Sequence, residues 1–234
     1  MKMTRTALAL TVGALAPALL LATPSLATAA PVTASASTVI GSDAENTAAI
    51  ARILADPASG RGVIREANSA LSGTPEDRVA FLTTGYAKAQ DEDNMVAIAR
   101  ILADPASGRG VIREANSALS GTPEDRVAFL TTGYAKAQDE DNMVAIARIL
   151  HTNPATGKGV KREASKALDG TPADRAAFLA TGLRLARAED DRVDVARILA
   201  RPGISAALRA AAEKAIEGTP EELRHFITVG QYQV

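Results

Sequence analysis

The sequence predicts an all-α fold made of tandem helical repeats of about 48 residues, three helices in each, stacked as an α-solenoid. Residues 49–102 are identical to residues 97–150, an offset of 48 positions that chance cannot produce. A Gly-Thr-Pro triplet occurs four times, each time at the same position of the repeat. Apolar residues within each period follow helical spacing. The triplets begin at Gly73, Gly121, Gly170 and Gly218.

The spacing of the triplets shows where the repeat tolerates a change in length. It is 48, then 49, then 48 residues, and the extra residue falls in the loop that follows Leu150. Repeat proteins usually accept insertions in such loops. Three helices of this length cannot bury their apolar faces alone, so we expect successive copies to stack into an elongated solenoid. A compact helical bundle is the alternative.

Composition limits both the core and the chemistry of the chain. Hydrophobic residues make up 47% of the sequence, but only 3% are aromatic, and there is no Trp. The core must therefore be filled with Ala, Val, Ile and Leu, which suits closely packed helices. The absence of Cys excludes disulfides, thiolate metal sites and cysteine nucleophiles.

The first 29 residues have the features of a secretory signal peptide. Lys2 and Arg5 precede an apolar stretch, and small residues at 27–29 resemble a cleavage site. A retained membrane anchor is the alternative, but Pro17 and Pro24 interrupt the apolar stretch. We therefore expect a signal peptide at 1–29, a linker at 30–41 and repeats at 42–234, with no membrane insertion after cleavage. The expected location is outside the cell or on its envelope.

Charge gives no sign of a nucleic-acid partner. The chain has 26 basic and 27 acidic residues, so loss of Lys2 and Arg5 leaves 24 against 27, a net charge of −3. Acidic and basic residues are interleaved along the whole repeat region. A mixed surface of this kind lacks the basic patch that nucleic acid requires.

Three helical segments are predicted in each period. The first covers residues 44–55 and begins with a capping box between Ser42 and Glu45. The second covers residues 61–72, and its apolar face consists of Val63, Ala67, Ala70 and Leu71. The third begins at Thr74, which precedes Pro75 in the first helical position.

A glycine recurs inside the third segment, four residues after a phenylalanine in every copy. Glycine in a helix costs roughly 1 kcal/mol relative to alanine, so its presence calls for a reason. We expect a phenylalanine ring or a second helix to pack against the bare backbone there, with close approach of a ligand as the alternative. The glycines are Gly85, Gly133, Gly182 and Gly230, after Phe81, Phe129, Phe178 and Phe226.

The repeated residues resemble the ALF repeat, a short tandem repeat named for its Ala-Leu-Phe pattern. The resemblance is carried by Ala70-Leu71, by residues 73–78, by Phe81-Leu82 and by the acidic run 91–93. The last copy departs from the pattern, with Leu223 in place of the arginine. The resemblance implies a secreted protein of high-GC Gram-positive bacteria and no established activity. Some members carry such repeats ahead of a toxin or enzyme domain.

Residues able to perform catalysis are few. His151 and His225 are the only histidines, and neither has a triad or ligand partner at helical spacing. The acidic run 91–93, which recurs at 139–141, is expected to be a helix N-terminus stabilised by its acids, with a weak calcium site as the alternative. The Gly60-Arg61-Gly62 element is expected to be an interhelical turn rather than a phosphate cradle.

These observations favour a secreted, non-catalytic binding or scaffolding protein that acts through a repeated solenoid surface, without cofactor or metal. The expected partner is an extracellular protein or a cell-wall component. One alternative is an accessory or presenting subunit of a secreted toxin or lytic system, and a less favoured one is a hydrolase with a carboxylate pair. Repeated arginines are the candidate interaction residues, namely Arg52, Arg65, Arg100, Arg113 and Arg148.

Overall fold

A computed structural model describes residues 41–152 and 156–234 of the protein. The predicted signal peptide and all of the predicted linker except Gly41 lie outside the described residues. Within them the chain is helical and contains no strand. No helix among the described residues has the length and apolar character needed to cross a bilayer.

After a first helix, Asp43–Ala55, short and long helices alternate along the chain. Four are short, and we call them the short helices: Arg61–Ser72, Arg109–Ser120, Lys158–Asp169 and Ala206–Ile216. Between them run three long helices, which we call the bridging helices, at 75–103, 123–152 and 172–199. A final helix, Pro220–Thr228, ends in a 3-10 turn, Gly230–Tyr232.

Each bridging helix consists of three consecutive helical segments. An α-helical start is followed by one π-helical turn and then by a long α-helical end. The segments are Pro75–Ala80, Phe81–Gly85 and Tyr86–Ala103 in the first; Pro123–Ala128, Phe129–Gly133 and Tyr134–Thr152 in the second; and Pro172–Ala177, Phe178–Gly182 and Leu183–Leu199 in the third.

The prediction of three helical segments per copy is confirmed, but the segments are not all separated by turns. The third segment of one copy and the first segment of the next run on without a break, so the twelve expected segments join into nine uninterrupted helices within the described residues. The reason is local: no proline lies between Tyr86 and Ala103, and Gly85 keeps helical angles, φ −63° and ψ −43°. No helix-terminating residue therefore lies at the boundary between one repeat and the next, and the helix continues across it.

The predicted helix starts are confirmed. Ser42 and Glu45 form the expected capping box, and the first helix begins at Asp43, one residue before the predicted start. The second predicted segment agrees with the short helix Arg61–Ser72 at both ends. Thr74 accepts a hydrogen bond from the amide of Asp77, whose carboxylate accepts from the amide of Thr74 in return.

The recurring glycine lies in the π-helical turn. The amide of Tyr86 donates to the carbonyl of Phe81, five residues back, which widens the helix by one residue at this point. A Cβ placed on Gly85 would lie 3.3 Å from Cδ2 of Phe81, so the ring covers the bare backbone as expected. The ring of Tyr86 meets that of Phe81 edge-on at 6.1 Å.

The core is divided into four units of the same design. In each unit the end of one helix, a short helix and the start of the next helix surround a small apolar cluster. The buried residues repeat from unit to unit: Ile50, Ala67, Ala70 and Phe81; Ile98, Ala115, Ala118 and Phe129; Ile146, Ala164, Ala167 and Phe178; Val195, Ala212, Ala215 and Phe226.

The arrangement of the units makes the molecule an α-solenoid. The start of each bridging helix packs in the core of one unit, and its end packs in the core of the next. Within the described ranges, every extensive contact joins elements of the same unit or of successive units. A compact bundle would also bring helices from distant units together, so the solenoid prediction is confirmed.

Candidate functional site: the junctions between repeat units

The acidic run 91–93 lies in the middle of the first bridging helix, between the cores of the first and second units. The interpretation of this run as a helix N-terminus was wrong, because the helix that contains it begins earlier, at Pro75. The acids do stabilise a helix N-terminus, but it belongs to another helix. Asp93 accepts hydrogen bonds from the amides of Gly62 and Val63, at 2.8 and 2.9 Å.

This contact explains the Gly60-Arg61-Gly62 element. Gly60 is the N-cap of the short helix and has no side chain that could satisfy the exposed amides, so the carboxylate of Asp93 satisfies them instead. A Cβ on Gly60 would overlap that carboxylate. Gly60 ends the interhelical turn, as expected, but Arg61 and Gly62 already belong to the short helix, and the anion at this helix N-terminus is a side chain of the protein itself.

The same contact returns at the next two junctions. Asp141 accepts from the amides of Gly110 and Val111 at 2.8 and 2.9 Å. Asp190 accepts from the amides of Gly159 and Val160, at 2.7 and 2.9 Å. The third junction keeps this geometry although its sequence has diverged, so the carboxylate and the glycine turn form a fixed part of the repeat.

A second acid of the run faces the following unit. Asp91 accepts two hydrogen bonds from the guanidinium of Arg126, Nε to Oδ1 at 2.6 Å and Nη2 to Oδ2 at 2.7 Å. Arg126 also donates from Nη1 to the carbonyl of Gly121 at 2.9 Å. Its side chain is buried, and hydrogen bonding to Asp91 raises the pKa of Arg126. A junction with this pair is therefore held on both sides, by the first and the third acid of the run.

Equivalent pairs lie on either side of this one. Asp139 pairs with Arg175 in the same two-bond geometry, and this contact lowers the pKa of Asp139. Asp43 pairs with Arg78 at the start of the first helix, where the carboxylate is 49% exposed. Both carboxylate oxygens of Asp91 and of Asp93 therefore accept hydrogen bonds, and the same is true of Asp139 and Asp141. Among the described residues, no group of three or more acids or histidines could hold a metal ion.

The fourth unit joins the third differently. Ala188 takes the position of Asp91, Leu223 takes that of Arg126, and both are buried. A buried carboxylate lies nearby at Asp191, in the position that asparagine has in the two preceding copies. Arg224 lies 3.1 Å from Asp191 and is half exposed. Burial raises the pKa of Asp191, against the opposing effect of Arg224.

The histidines are not brought together by the fold. His151 lies in the last turn of the second bridging helix and His225 lies in the final helix, and both are exposed.

The predicted interaction arginines fall into two groups. Arg65 and Arg113 lie on the short helices and form exposed ion pairs. Arg65 contacts Glu66 at 2.9 Å and Glu92 at 3.3 Å, and the contact with Glu66 raises the pKa of Arg65. Arg113 repeats the pattern, and Arg162, which sequence reasoning did not select, does so as well. Surface pairs of this kind contribute little to stability.

The second group lies on the first helix and the bridging helices. Arg52, Arg100 and Arg148 are exposed, in equivalent positions of successive copies. Four residues before Arg100, before Arg148 and before the equivalent Arg197, an exposed valine lies on the same face of the helix. These valines, Val96, Val144 and Val193, are 48%, 49% and 46% exposed. Sequence reasoning missed them, although their position outside the apolar stripe of the segment was a readable signal.

Comparison with protein families agrees with the structural units. A model named ALF, described as short repeats of unknown function, matches residues 48–89, 96–137, 144–186 and 192–234. Each match covers one unit, and the stretches between matches, 90–95, 138–143 and 187–191, contain the acidic residues of the junctions. No curated protein matches the chain. Four matches that together span most of the sequence show that the chain belongs to the ALF family of short repeats.

Proposed function

We propose that this chain is a secreted, non-catalytic binding or scaffolding protein that acts through a surface repeated on its bridging helices. We call this surface the valine–arginine stripe. It consists of an exposed valine and, one helical turn later, an exposed arginine on each bridging helix: Val96 and Arg100, Val144 and Arg148, Val193 and Arg197.

The observation that supports this proposal is that the same pair of exposed residues occurs on all three bridging helices of the solenoid. Burial of an exposed valine against a partner removes apolar surface from water, which lowers the free energy of the complex. Arginine combines an apolar stem with a charged head that forms several hydrogen bonds. Arginine is enriched at protein interfaces for this reason. A single valine and arginine bind weakly, but three such sites on one framework increase the total affinity for a partner that also repeats.

The junction contacts explain how the spacing could be kept. Asp93 fixes the bridging helix to the preceding unit, and Asp91 fixes it to the following one. The stripes of the first two bridging helices are related by two junctions that contain the same residues. A repeating partner, such as an extracellular filament or a cell-wall component, would meet equivalent sites on successive units.

Further support comes from the use of the reactive side chains. The junction carboxylates accept hydrogen bonds from backbone amides and arginine, and the two histidines are exposed on separate helices. The hydroxyl of Thr74, which bonds to the carboxylate of Asp77, belongs to a helix cap. The export signal predicted at residues 1–29 supports the secreted location.

A capture experiment tests the proposal. The chain from residue 30 onward is immobilised and exposed to culture supernatant and cell-envelope extract of its source, and the bound material is identified by mass spectrometry. A second sample carries Val96→Thr, Val144→Thr and Val193→Thr, which keep side-chain shape but make each stripe polar. We expect a partner that binds the unaltered chain and is lost from the variant.

Two results would count against the stripe. Equal recovery of the partner by the variant would place binding elsewhere on the solenoid. Turnover of a wall polymer by the purified chain would replace the binding role with an enzymatic one. Recovery of a secreted catalytic chain through the stripe would give the scaffold a specific task, as the presenting subunit of that enzyme or toxin.

A further inference from the structure

An open groove runs along the third unit, between the third short helix and the third bridging helix. Its volume is about 840 Å³. The side of Phe178 and several alanines form its floor, and charged side chains form its rim. The residues that matter for its chemistry are Lys166, Asp169, Asp174, Phe178, Leu185 and Glu189.

Leu185 distinguishes this groove from the same place in the other units. It is 56% exposed, more than any leucine, isoleucine or phenylalanine elsewhere in the described ranges. The first two units have lysine here, at Lys88 and Lys136. Exchange of an ammonium group for an exposed isobutyl group makes the edge of this groove apolar and removes one positive charge from it.

The rim of the groove is acidic. Glu189 is paired with Arg162 at 2.8 Å, and Asp174 accepts from the amide of Thr171 as part of a helix cap. Asp169 is exposed and forms no ion pair with any residue in the described part of the chain. The first two units have serine in this position, at Ser72 and Ser120. The third unit therefore combines an added acid with an added apolar contact.

We propose that this groove binds a basic peptide segment in which an apolar side chain lies next to a lysine or arginine. The apolar side chain covers Leu185 and the floor beside Phe178, and the cation pairs with Asp169. Charge complementarity selects this occupant: four carboxylates and one lysine line the groove, and Arg162 reaches two of those carboxylates from its edge. The site is specific to one unit and goes beyond the repeated stripe.

The test uses a short fluorescein-labelled peptide of alternating lysine and leucine, with a glutamate and leucine peptide of equal length as the comparison. Fluorescence anisotropy measures binding to the unaltered chain and to the variants Leu185→Lys and Asp169→Ser. Both variants install the residue of the first two units, so they are compatible with the fold. We expect each variant to weaken binding of the basic peptide about tenfold. We also expect added salt to weaken binding.

The matched control is Val96→Thr with Val144→Thr, which alters the stripe in other units and leaves the groove intact. Its affinity for the basic peptide should equal that of the unaltered chain, so failure of the groove and failure of the stripe are separable. Unchanged binding by Leu185→Lys, or equal binding of the acidic peptide, would overturn the proposal. Circular dichroism melting of each variant checks that the fold is kept.

Discussion

The guanidinium of Arg126 and the carboxylate of Asp91 are 35 residues apart in sequence and form a two-bond ion pair, with Nε 2.6 Å from Oδ1. The pair joins the second unit to the helix that leaves the first. At the fourth unit both partners are exchanged together, for Leu223 and Ala188. A junction therefore contains either a complete ion pair or two apolar side chains, because half of a pair would leave one buried charge without a partner.

Loss of one partner should weaken the junction more than loss of both. We expect Asp91→Ala to lower the melting temperature by about 5 °C or more, since it leaves Arg126 buried and without its carboxylate. The double variant Asp91→Ala with Arg126→Leu reproduces the fourth junction and should regain most of that loss. Thermal unfolding followed by circular dichroism measures both. A double variant that melts below the single one would contradict this account.

The glycine turn should not tolerate a side chain while the acid is present. In Gly108→Ala the added Cβ overlaps the carboxylate of Asp141, which must then move away from the amides of Gly110 and Val111. We expect a loss of roughly 1–3 kcal/mol in the free energy of unfolding, measured by urea denaturation.

A double-mutant cycle separates the overlap from the general effect of alanine at this position. With Asp141→Ala already present, the Cβ of Gly108→Ala no longer meets a carboxylate, while the Cβ of residue 141 remains close, at 2.8 Å, so the second change should cost less than it does alone. Equal costs in both backgrounds would show that the turn depends on backbone freedom and not on the acid.

Much of the fold could be predicted because its signals are local. Capping boxes at Ser42 and Thr74 and the apolar face of residues 61–72 are determined by neighbouring residues, and the structure confirms them. The continuity of the bridging helices was not predicted because the acidic run was taken as a start signal. Acids in the middle of a helix and acids at its first turn look alike in sequence, and only the absence of a stop signal after Gly85 distinguishes them.

Replacement of Asp191 by asparagine should stabilise the chain at neutral pH. Burial raises the pKa of Asp191 above its unfolded value, so the folded state binds this proton more tightly than the unfolded chain does. The charged form therefore costs stability at neutral pH, and the cost declines as pH falls through the raised pKa. We expect Asp191→Asn to melt about 2–4 °C higher at neutral pH, with the gain shrinking toward about pH 4.

Asp169→Asn is the control for this pH dependence, because Asp169 is exposed and is not among the charges that affect the pKa of Asp191. It should change the melting temperature little at any pH. A lower melting temperature for Asp191→Asn at neutral pH would mean that the contact with Arg224 outweighs the effect of burial.

Removal of one period should leave a folded, shorter solenoid. Deletion of residues 97–144 joins Val96 to Ala145 and restores the sequence that surrounds each of them, and Asp91 then takes the place of Asp139 beside Arg175. We expect the helical signal per residue to be unchanged and the urea midpoint to fall, since nearest-neighbour contacts of one unit are lost. An unfolded product would contradict the stacking of independent units.

The candidate site was harder to predict than the fold. The arginines were recognised by their recurrence, but recurrence alone does not separate Arg65, which pairs with Glu92, from Arg126, which is buried at a junction. That distinction depends on contacts across roughly 30 residues, which no local pattern encodes. The exposed valines were missed because only the residues at i, i+3 and i+4 of each segment were considered, and these valines lie outside that apolar stripe.

The continuous bridging helices also affect how proteases would act on the chain. Most multidomain proteins are cut first in extended linkers, which a peptidase can draw into its cleft. Here the passage from one unit to the next is helical, with its backbone amides and carbonyls already hydrogen-bonded. The peptide bonds that a protease can cleave readily therefore lie in the turns within units, such as residues 56–60 and 104–108. Limited digestion would therefore release fragments that begin and end inside units, with the junctions intact.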